Sequence, residues 1–232
     1  MPGVAVVIPT LNEAAAIAGV IAEIPRDVAG EVIVADSSSS DGTAEAARRA
    51  GARVIVLAER GYGRACAAGA AGASAECDIL VFLDGDGADR ADLMASLVAP
   101  IRAGTHDFVI GSRVRGAREK GAMSAHQVLA GRVAGAAMAA LYGVRYSDMC
   151  AFRAIRRDAL ERLGLREMTY GWNIEMQMQA ARAGLRVLEI PVPYRRRAGG
   201  RSKVAGSLRG TLRAGWRIAV TFGRVALSPR PL

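Results

Sequence analysis

The first hundred residues repeat one pattern, in which a short apolar run is followed by a polar loop and then by an alanine-rich segment. This order is typical of βαβ units and a parallel sheet. Continuous apolar runs at residues 4–8 and 79–83 indicate strands that are covered on both faces. The predicted strands cover residues 4–8, 31–35, 53–57, 79–83 and 108–111, and the predicted helices cover residues 14–24, 43–50, 64–74 and 91–103.

The order of elements changes beyond residue 112. A loop rich in Gly and Arg precedes a helix predicted over residues 124–141, and a second helix is predicted over 172–183 before extended segments at 187–190 and 192–194. A chain of 232 residues can bury one substantial core. We therefore predict one α/β domain over residues 1–205, with halves at 1–112 and 113–205, followed by a basic amphipathic helix and tail over 206–232.

The charge balance predicts an anionic partner. The net charge is +9 and the pI is about 10.3, which fits nucleic acid, phosphorylated substrates or a membrane surface. Aromatic residues make up 5% of the chain, without the basic and aromatic interleaving that stacks bases, so we expect no nucleic acid partner.

The same sequence carries no sign of a membrane span or a secretion signal. No stretch approaches the roughly 20 uncharged apolar residues that a span needs. Met1 is followed almost directly by the first strand, without a basic region or a cleavage site, so we expect a cytoplasmic protein. The three cysteines, Cys66, Cys77 and Cys150, are too scattered for a disulfide framework or a zinc site and are expected to be small buried hydrophobes.

Two carboxylates follow the fourth predicted strand in the segment Asp84-Gly85-Asp86-Gly87. Ligands of α/β sheets lie outside the carboxyl ends of the strands. Paired Asp oxygens suit Mg²⁺ or Mn²⁺ better than zinc. A surface turn would use the same residues, so the neighbouring loops decide between the two interpretations.

Polar side chains also follow the first and second strands. The first ends in the segment 9–13, with Thr10 and Glu13, and the second in the segment 36–43, with Asp36, Asp41 and Thr43. Thr10 with Glu13 would equally make a capping box, and Asp41 and Thr43 have ordinary capping roles. Carboxylates at three successive strand ends repel one another unless a cation, ribose hydroxyls or base N–H groups bind them. No G-x-G-x-x-G follows the first strand, which disfavours a dinucleotide oxidoreductase.

Five segments together carry a resemblance to a known family. Residues 6–13, 31–43, 84–86, 111–113 and 200–203 resemble family 2 glycosyltransferases of the GT-A fold, and among these the dolichyl-phosphate or polyprenyl-phosphate mannose and glucose synthases. The resemblance implies a Rossmann-like, mostly parallel sheet flanked by helices. It also implies inverting transfer of a hexose from a nucleotide sugar of the UDP-glucose or GDP-mannose type to a polyprenyl phosphate. Residues 1–112 then form the nucleotide-sugar-binding half and residues 113–205 the acceptor half.

The resemblance assigns roles to individual residues. Asp84 and Asp86 would hold Mg²⁺ or Mn²⁺, and the positions that would border the nucleotide sugar are Pro9, Thr10, Asn12, Glu13, Asp36, Gly63, Asp84 and Gly85. Gly63 belongs to a Gly-rich segment before a helix whose N-terminal amides could face a phosphate. Ser37 stands where many relatives carry a second acid. Ala88 stands where mannose synthases often have Gln, so that a third ligand is missing or comes from Asp89, whose other role would be the N-cap of the next helix.

The catalytic residues expected from the resemblance are Asp86, Arg113, Asp148 and Glu175. Arg113 could hold the diphosphate or the sugar in a bidentate manner. A sugar hydroxyl as acceptor needs a general base, for which Asp148 or Glu175 is the candidate. A lipid phosphate is already largely ionised at neutral pH, and the carboxylates would then only orient groups.

The end of the chain is strongly basic. Arg197, Arg201 and Lys203 would bind phosphate from a loop that closes over it, and a disordered basic linker is the alternative. Leu212 and Trp216 share a helix face with Leu208 and Ala219, beside a stripe of Arg209, Arg213 and Arg217, as suits a membrane surface. That helix could instead pack on the protein or make a homo-oligomer contact. We expect a cytoplasmic enzyme that is peripheral on the inner face of the membrane, with a hydroxyl-directed glycosyltransferase and a non-catalytic nucleotide-sugar-binding module as the alternatives.

Overall fold

A seven-stranded sheet forms the centre of the computed structural model, which describes residues 3–199 and 208–228. The strand order is β3-β2-β1-β4-β6-β5-β7. Every neighbouring pair is parallel except the two pairs made by β6, which runs antiparallel to both β4 and β5. The strands are β1 (Gly3–Thr10), β2 (Glu31–Asp36), β3 (Arg53–Val56), β4 (Cys77–Phe82), β5 (Phe108–Ser112), β6 (Arg153–Arg156) and β7 (Val187–Pro191).

Helices flank this sheet, as the sequence predicts. In the described part of the chain they are α1 (Ile17–Glu23), α2 (Thr43–Arg49), α3 (Tyr62–Ala71), α4 (Met94–Arg102), α5 (Ala125–Tyr142), α6 (Arg157–Leu163), α7 (Trp172–Arg182) and α8 (Leu208–Leu227), with a 3₁₀ turn at Ala91–Leu93 before α4. None of the described helices is both long and apolar enough to cross a bilayer. The predicted mostly parallel α/β architecture is confirmed.

The core lies along the strands that the apolar runs predict. Residues 4–8 of β1 and nearly all of β4 are fully buried, because helices cover both faces of the sheet. The three cysteines are free and buried, which confirms their expected role as small hydrophobes.

Two elements, β6 and α6, do not follow from the sequence pattern. Arg153 begins β6, and its charge hides the strand from an apolar-run search. In the fold Arg153 is fully buried, and its guanidinium donates to the backbone oxygens of Cys150 and Asn173 and lies 5.9 Å from the ring centre of Phe108. A buried charge is tolerated when such partners replace water. This strand closes the gap between β4 and β5.

Helix α8 is fastened to the rest of the domain by polar contacts as well as by packing. Its residues Ala214, Thr221 and Val225 are buried, and the helix packs against α7. The Thr221 hydroxyl donates to Glu167 at 2.9 Å, and Arg182 of α7 donates to the Val225 carbonyl at 2.5 Å. The predicted domain boundary at residue 205 lies outside the described residues and stays a prediction.

Asp107 provides a stability test for the start of β5. Its carboxylate accepts hydrogen bonds from the backbone and guanidinium of Arg186 and from Arg156. The Arg186 hydrogen bond is the main cause that lowers the pKa of Asp107 to about 2. The unfolded value is about 3.9, so this stabilisation is complete above about pH 4 and disappears as the pH falls through about 2.

We predict that Asp107→Asn lowers the free energy of unfolding by about 1–3 kcal/mol at pH 6. The difference from wild type should shrink as the pH falls from about 4 to about 2, since the wild-type carboxylate is then protonated as well. Urea denaturation across this pH range measures both effects. Asp27→Asn, at an exposed site, is the control, and a difference between Asp107→Asn and wild type that does not change with pH would contradict the account.

Candidate active site

Hydrogen bonds lock the loops after β1 and β2 into one surface. Thr10 and Asp36 are partners in the strand register, and the Thr10 hydroxyl donates to Asp36 Oδ1 at 2.9 Å. The Ser39 amide donates to Asp36 Oδ2 at 2.8 Å, and the Ser39 hydroxyl accepts the Asn12 amide at 2.8 Å. Asn12 Oδ1 in turn accepts the Ser40 amide at 2.9 Å. The structure thus brings together three residues predicted to border the nucleotide sugar.

The capping box considered for Thr10 and Glu13 is not formed. Thr10 ends β1, and α1 begins only at Ile17. The Glu13 amide donates to the Thr43 hydroxyl at 2.8 Å, which ties the first loop to the start of α2. The Glu13 carboxylate instead accepts from Arg197 at 2.6 Å. Pro9, also predicted to border the nucleotide, is buried within β1 beside Ala35.

The Asp84–Asp86 turn lies directly against the end of β1. A Cβ added to Gly85 would come within 2.8 Å of the Thr10 methyl group, so only glycine permits this close approach. Asp86 is 3% exposed, and its Oδ1 accepts the Ala88 amide at 2.9 Å. Burial, followed by the charge of Asp86, raises the pKa of Asp84 to about 6.

Asp89 does not cap the following helix. Its carboxyl group is buried and accepts the Asp84 amide at 3.2 Å, while the N-cap of the next turn is Arg90. Burial, followed by the charges of Asp84 and Asp86, raises the pKa of Asp89 to about 8. Asp89 therefore forms one group of carboxyl groups with Asp84 and Asp86, which corrects the capping interpretation.

The carboxylates fit a divalent cation that takes further ligands from its substrate. Asp86 and Glu13 are bridged by the guanidinium of Arg197, which shows that a positive charge fits between them. In residues 3–199 and 208–228, no group of three or more His, Cys, Asp and Glu side chains could hold a metal ion by itself. Mg²⁺ is commonly bound by one or two carboxylates together with substrate phosphates. Asp84 and Asp86 suit that arrangement.

Arg197 belongs to a segment that crosses the turn, residues 194–199, which we call the strap. The Arg195 amide donates to the Ala88 carbonyl at 3.0 Å, and the Ala198 amide donates to the Asp86 carbonyl at 2.9 Å. The guanidinium of Arg195 pairs with Glu23 of α1 at 2.7 Å. Arg201 and Lys203, the other predicted phosphate ligands, lie outside the described residues.

Arg113 and Asp148, both predicted to be catalytic, bind each other. Arg113 Nε and Nη2 donate to the two Asp148 oxygens at 2.8 and 2.7 Å, and the Arg113 amide adds a third hydrogen bond at 3.0 Å. Its guanidinium lies 5.0 Å from the ring centre of Tyr194 in the strap. Burial by itself raises the pKa of Asp148, but the hydrogen bonds from Arg113 outweigh it and the pKa is lowered.

Glu175 lies in a polar cluster that fastens α8. Its Oε2 accepts the backbone amides of Arg166 and Glu167 at 3.0 and 2.6 Å, and its Oε1 accepts from Arg224 of α8 at 2.9 Å. Both oxygens of this 2% exposed side chain are engaged. These contacts favour a structural role over the catalytic role expected from the sequence.

Gly63 packs closely against the loop before α7, and its predicted place beside the nucleotide sugar stays a prediction. Its amide donates to the Thr169 carbonyl at 3.2 Å, and the Arg64 amide donates to the Met168 carbonyl at 2.9 Å. A Cβ on Gly63 would come within 2.3 Å of the Glu167 carbonyl oxygen. The N-terminus of α3 therefore holds the loop before α7.

Comparison with known proteins identifies the family. The model of glycosyl transferase family 2 matches residues 5–164. The chain belongs to this family. An uncharacterised glycosyltransferase of Mycobacterium tuberculosis is 37% identical over 213 residues, which cover 90% of this chain and 93% of that protein.

Two relatives of this family 2 glycosyltransferase have names that state an activity. A dolichyl-phosphate hexose transferase of Haloferax volcanii is 36% identical over 200 residues, covering 84% of each chain. An undecaprenyl-phosphate mannosyltransferase of Micrococcus luteus is 32% identical over 220 residues, covering 88% of each.

Solved structures confirm the GT-A type of fold. Glucosyl-3-phosphoglycerate synthase from Mycobacterium tuberculosis, crystallised with Mn²⁺ and UDP-glucose, superimposes with a TM-score of 0.76 at 25% identity. The match covers 98% of this chain and 80% of that one. The same synthase in complex with phosphoglyceric acid gives a TM-score of 0.78 at 25% identity.

Tyr194 and Glu189 are site residues that the sequence reasoning missed. Glu189 of β7 accepts the Ser147 amide and hydroxyl at 2.9 and 2.8 Å, which positions the segment that carries Asp148. Tyr194 directly precedes the basic run 195–197, and that adjacency was the available signal. Neither residue carries a motif of its own.

A double-mutant cycle tests the structural role of Glu175 in this glycosyltransferase. We predict that Glu175→Gln and Arg224→Gln each destabilise the fold, and that their coupling energy is about 0.5–3 kcal/mol because the two groups contact each other. Urea denaturation of the two single variants and the double variant gives the coupling. Arg213→Gln, at an exposed position on the same helix, should lie within about 0.5 kcal/mol of wild type. Strictly additive effects of Glu175→Gln and Arg224→Gln would contradict the assignment.

Proposed function

We propose that this glycosyltransferase moves a hexose, with inversion, from a nucleotide sugar to a polyprenyl phosphate. Two relatives that cover most of the chain carry names of dolichyl-phosphate and undecaprenyl-phosphate transferases. The observation that carries the proposal most directly is that both candidate general bases, Asp148 and Glu175, already bind arginine.

The donor would bind at the joined ends of β1, β2 and β4. Thr10, Asn12 and Asp36 would contact the base and ribose, and Asp84 and Asp86 would hold Mg²⁺ or Mn²⁺ with the diphosphate. A solved neighbour crystallised with Mn²⁺ and UDP-glucose supports a nucleotide-sugar donor that binds together with a divalent metal. A divalent cation at this position supplies charge that stabilises a departing diphosphate.

The contacts of the carboxylates bear on the class of acceptor. Asp148 has a lowered pKa and a bidentate arginine partner, which makes it a weak proton acceptor. Glu175 accepts two amides and Arg224. An acceptor phosphate is largely ionised at neutral pH and needs no base, whereas a sugar hydroxyl does. In our proposal Asp148 therefore holds Arg113, and Arg113 orients phosphate or sugar oxygens.

Surface chemistry supports a lipid-borne acceptor. Helix α8 exposes Leu212 and Trp216, which are 63% and 70% accessible, and Arg213 and Arg217 are exposed on the same helix. Helix α5 exposes Leu129 and Val133 at 62% and 61%, among further apolar residues. The sequence has no acidic residue after Glu189. Exposed apolar side chains that are surrounded by basic residues favour binding to the surface of an anionic membrane.

A phosphorylated small molecule is a second candidate acceptor. The observation that favours it is the fold match to a synthase crystallised with phosphoglyceric acid. The same donor site would serve either acceptor, so a direct comparison of products separates the two proposals.

We predict that, with Mn²⁺, one of UDP-glucose and GDP-mannose supports formation of a polyprenyl-phosphate hexose, measured by mass spectrometry of the extracted lipid. Asp86→Ala should lower the rate at least about 100-fold, because the charge that stabilises the leaving group is worth several kcal/mol. Asp27→Ala, which removes an exposed carboxylate, should retain the wild-type rate.

Transfer to phosphoglyceric acid without any lipid product would replace the proposed acceptor with the second candidate. Donor-dependent thermal stabilisation without transfer to either acceptor would favour a non-catalytic nucleotide-sugar-binding module.

We predict that Leu212→Ser with Trp216→Ser weakens binding to vesicles that contain phosphatidylglycerol at least tenfold, since burial of each large apolar side chain contributes about 1.5–3 kcal/mol. Co-sedimentation with vesicles measures the partition coefficient. Val56→Ser removes an apolar side chain that is 53% exposed on β3 and should leave binding unchanged. Equal binding by the double variant and wild type would contradict a membrane role for α8.

A further inference from the structure

A positive charge from the chain itself occupies the position between the site carboxylates. Arg197 Nη1 donates to Asp86 Oδ2, and Nη2 donates to Glu13 Oε1 at 2.6 Å. Asp86 and Glu13 are 3% and 9% exposed, and the Arg197 side chain is 27% exposed. Charge-assisted hydrogen bonds of this kind are about twice as strong as neutral ones. Arg197 thus binds Asp86, the same carboxylate that is predicted to bind the metal.

The strap fixes Arg197 in this place from both sides. On one side Arg195 pairs with Glu23 and donates its amide to the Ala88 carbonyl. On the other side the Ala198 amide donates to the Asp86 carbonyl at 2.9 Å. The Ala198 methyl group lies 3.1 Å from the position of a Cβ on Gly87, so the strap and the turn are in close contact.

Arg196 shows that neighbouring arginines in the strap have different partners. Its amide donates to Glu119 at 2.8 Å, and its Nε donates to the Lys120 carbonyl at 2.7 Å. These contacts join the strap to the loop after β5 and involve neither Asp86 nor Glu13. Of these two adjacent arginines, Arg197 binds Asp86 and Glu13 and Arg196 does not. Arg196 is therefore a matched control for Arg197.

A guanidinium and a divalent cation compete for Asp86 Oδ2, because one oxygen facing Arg197 at hydrogen-bonding distance leaves no room for a metal on the same side. The diphosphate of a nucleotide changes this balance. It brings negative oxygens that can accept the guanidinium once the metal has taken the carboxylate. A ligand shifts such an equilibrium by as much as its affinity differs between the two states.

We propose that Arg197 is a built-in competitor of the metal, which keeps Mg²⁺ or Mn²⁺ from binding tightly until a nucleoside diphosphate is present and offers Arg197 a new partner. This inference rests on the proposed function and extends it to the order of binding. Arg197 then couples the two ligands, so each should raise the affinity of the other by the same factor.

The test measures Mn²⁺ binding to the full chain in the absence of nucleotide, by isothermal titration calorimetry with the metal alone. Arg197→Gln should tighten Mn²⁺ binding at least about tenfold relative to wild type, since the competing charge-assisted hydrogen bonds are lost. Arg196→Gln removes the same charge one residue away and should stay within about twofold of wild type. Asp86→Asn should weaken Mn²⁺ binding both in the wild-type background and in the Arg197→Gln background.

A second titration with Mn²⁺ in the presence of UDP, and again with GDP, measures the coupling. The enhancement of Mn²⁺ affinity by the bound diphosphate should be smaller in Arg197→Gln than in wild type. Arg197→Lys, which keeps the charge but cannot bridge two carboxylates in a bidentate manner, should give an intermediate Mn²⁺ affinity and guards against a general effect of the Gln substitution. Circular dichroism verifies that each variant is folded.

Equal Mn²⁺ affinity of wild type and Arg197→Gln without nucleotide would overturn the competition while leaving the donor site intact. Equal tightening by Arg196→Gln and Arg197→Gln would also overturn it, because the effect would then be one of net charge. Failure of every variant to bind Mn²⁺, even with UDP or GDP, would instead remove the metal site on which the proposed function depends.

Discussion

Three strand ends bring carboxylates together at one edge of the sheet, and the balance of that negative charge is the constraint on which the site depends. Asp84, Asp86 and Asp89 follow β4, Glu13 follows β1, and Asp36 is the last residue of β2. Burial raises the pKa of Asp84 and of Asp89, and the negative charges of the neighbouring carboxylates raise it further. Arginines from distant segments of the chain neutralise part of this negative charge. In our proposal a divalent metal, bound together with a diphosphate, can take the place of one of these arginines beside the carboxylates.

The second half of the chain supplies these arginines and holds them in place. Arg113 at the end of β5 is fixed by Asp148, and Asp148 is placed by a segment that Glu189 of β7 holds. The strap follows β7 directly and carries Arg197 across the Asp84–Asp86 turn. The order of β6, β5 and β7 in the sheet therefore determines which arginine side chains reach the carboxylates at the ends of β1 and β4. Residues 1–112 and the segment 194–199 are joined through ion pairs as well as through packing.

The sequence predicts the fold of residues 1–112 well, because the signals there are local. Apolar runs, turn residues and the Asp84–Asp86 motif each lie within a few residues, and the observed strands begin or end within two residues of the predicted ones. The second half depends on long-range pairs that no local pattern reveals. Arg153 hides β6, and the pairing of Arg113 with Asp148 and of Glu175 with Arg224 joins positions 35 and 49 residues apart. Asp148 and Glu175, which the sequence predicts to be catalytic, therefore bind arginine in the structure, and Gly63 packs against a loop.

The most direct measurement of the central claim is an anomalous diffraction map from crystals grown with Mn²⁺ and a nucleoside diphosphate. We predict a manganese peak beside Asp86, contacted by the diphosphate, with the Arg197 guanidinium moved from the carboxylates to phosphate oxygens. A nucleotide bound at the ends of β1 and β2 with manganese elsewhere, or with Arg197 still bridging Asp86 and Glu13, would contradict the account.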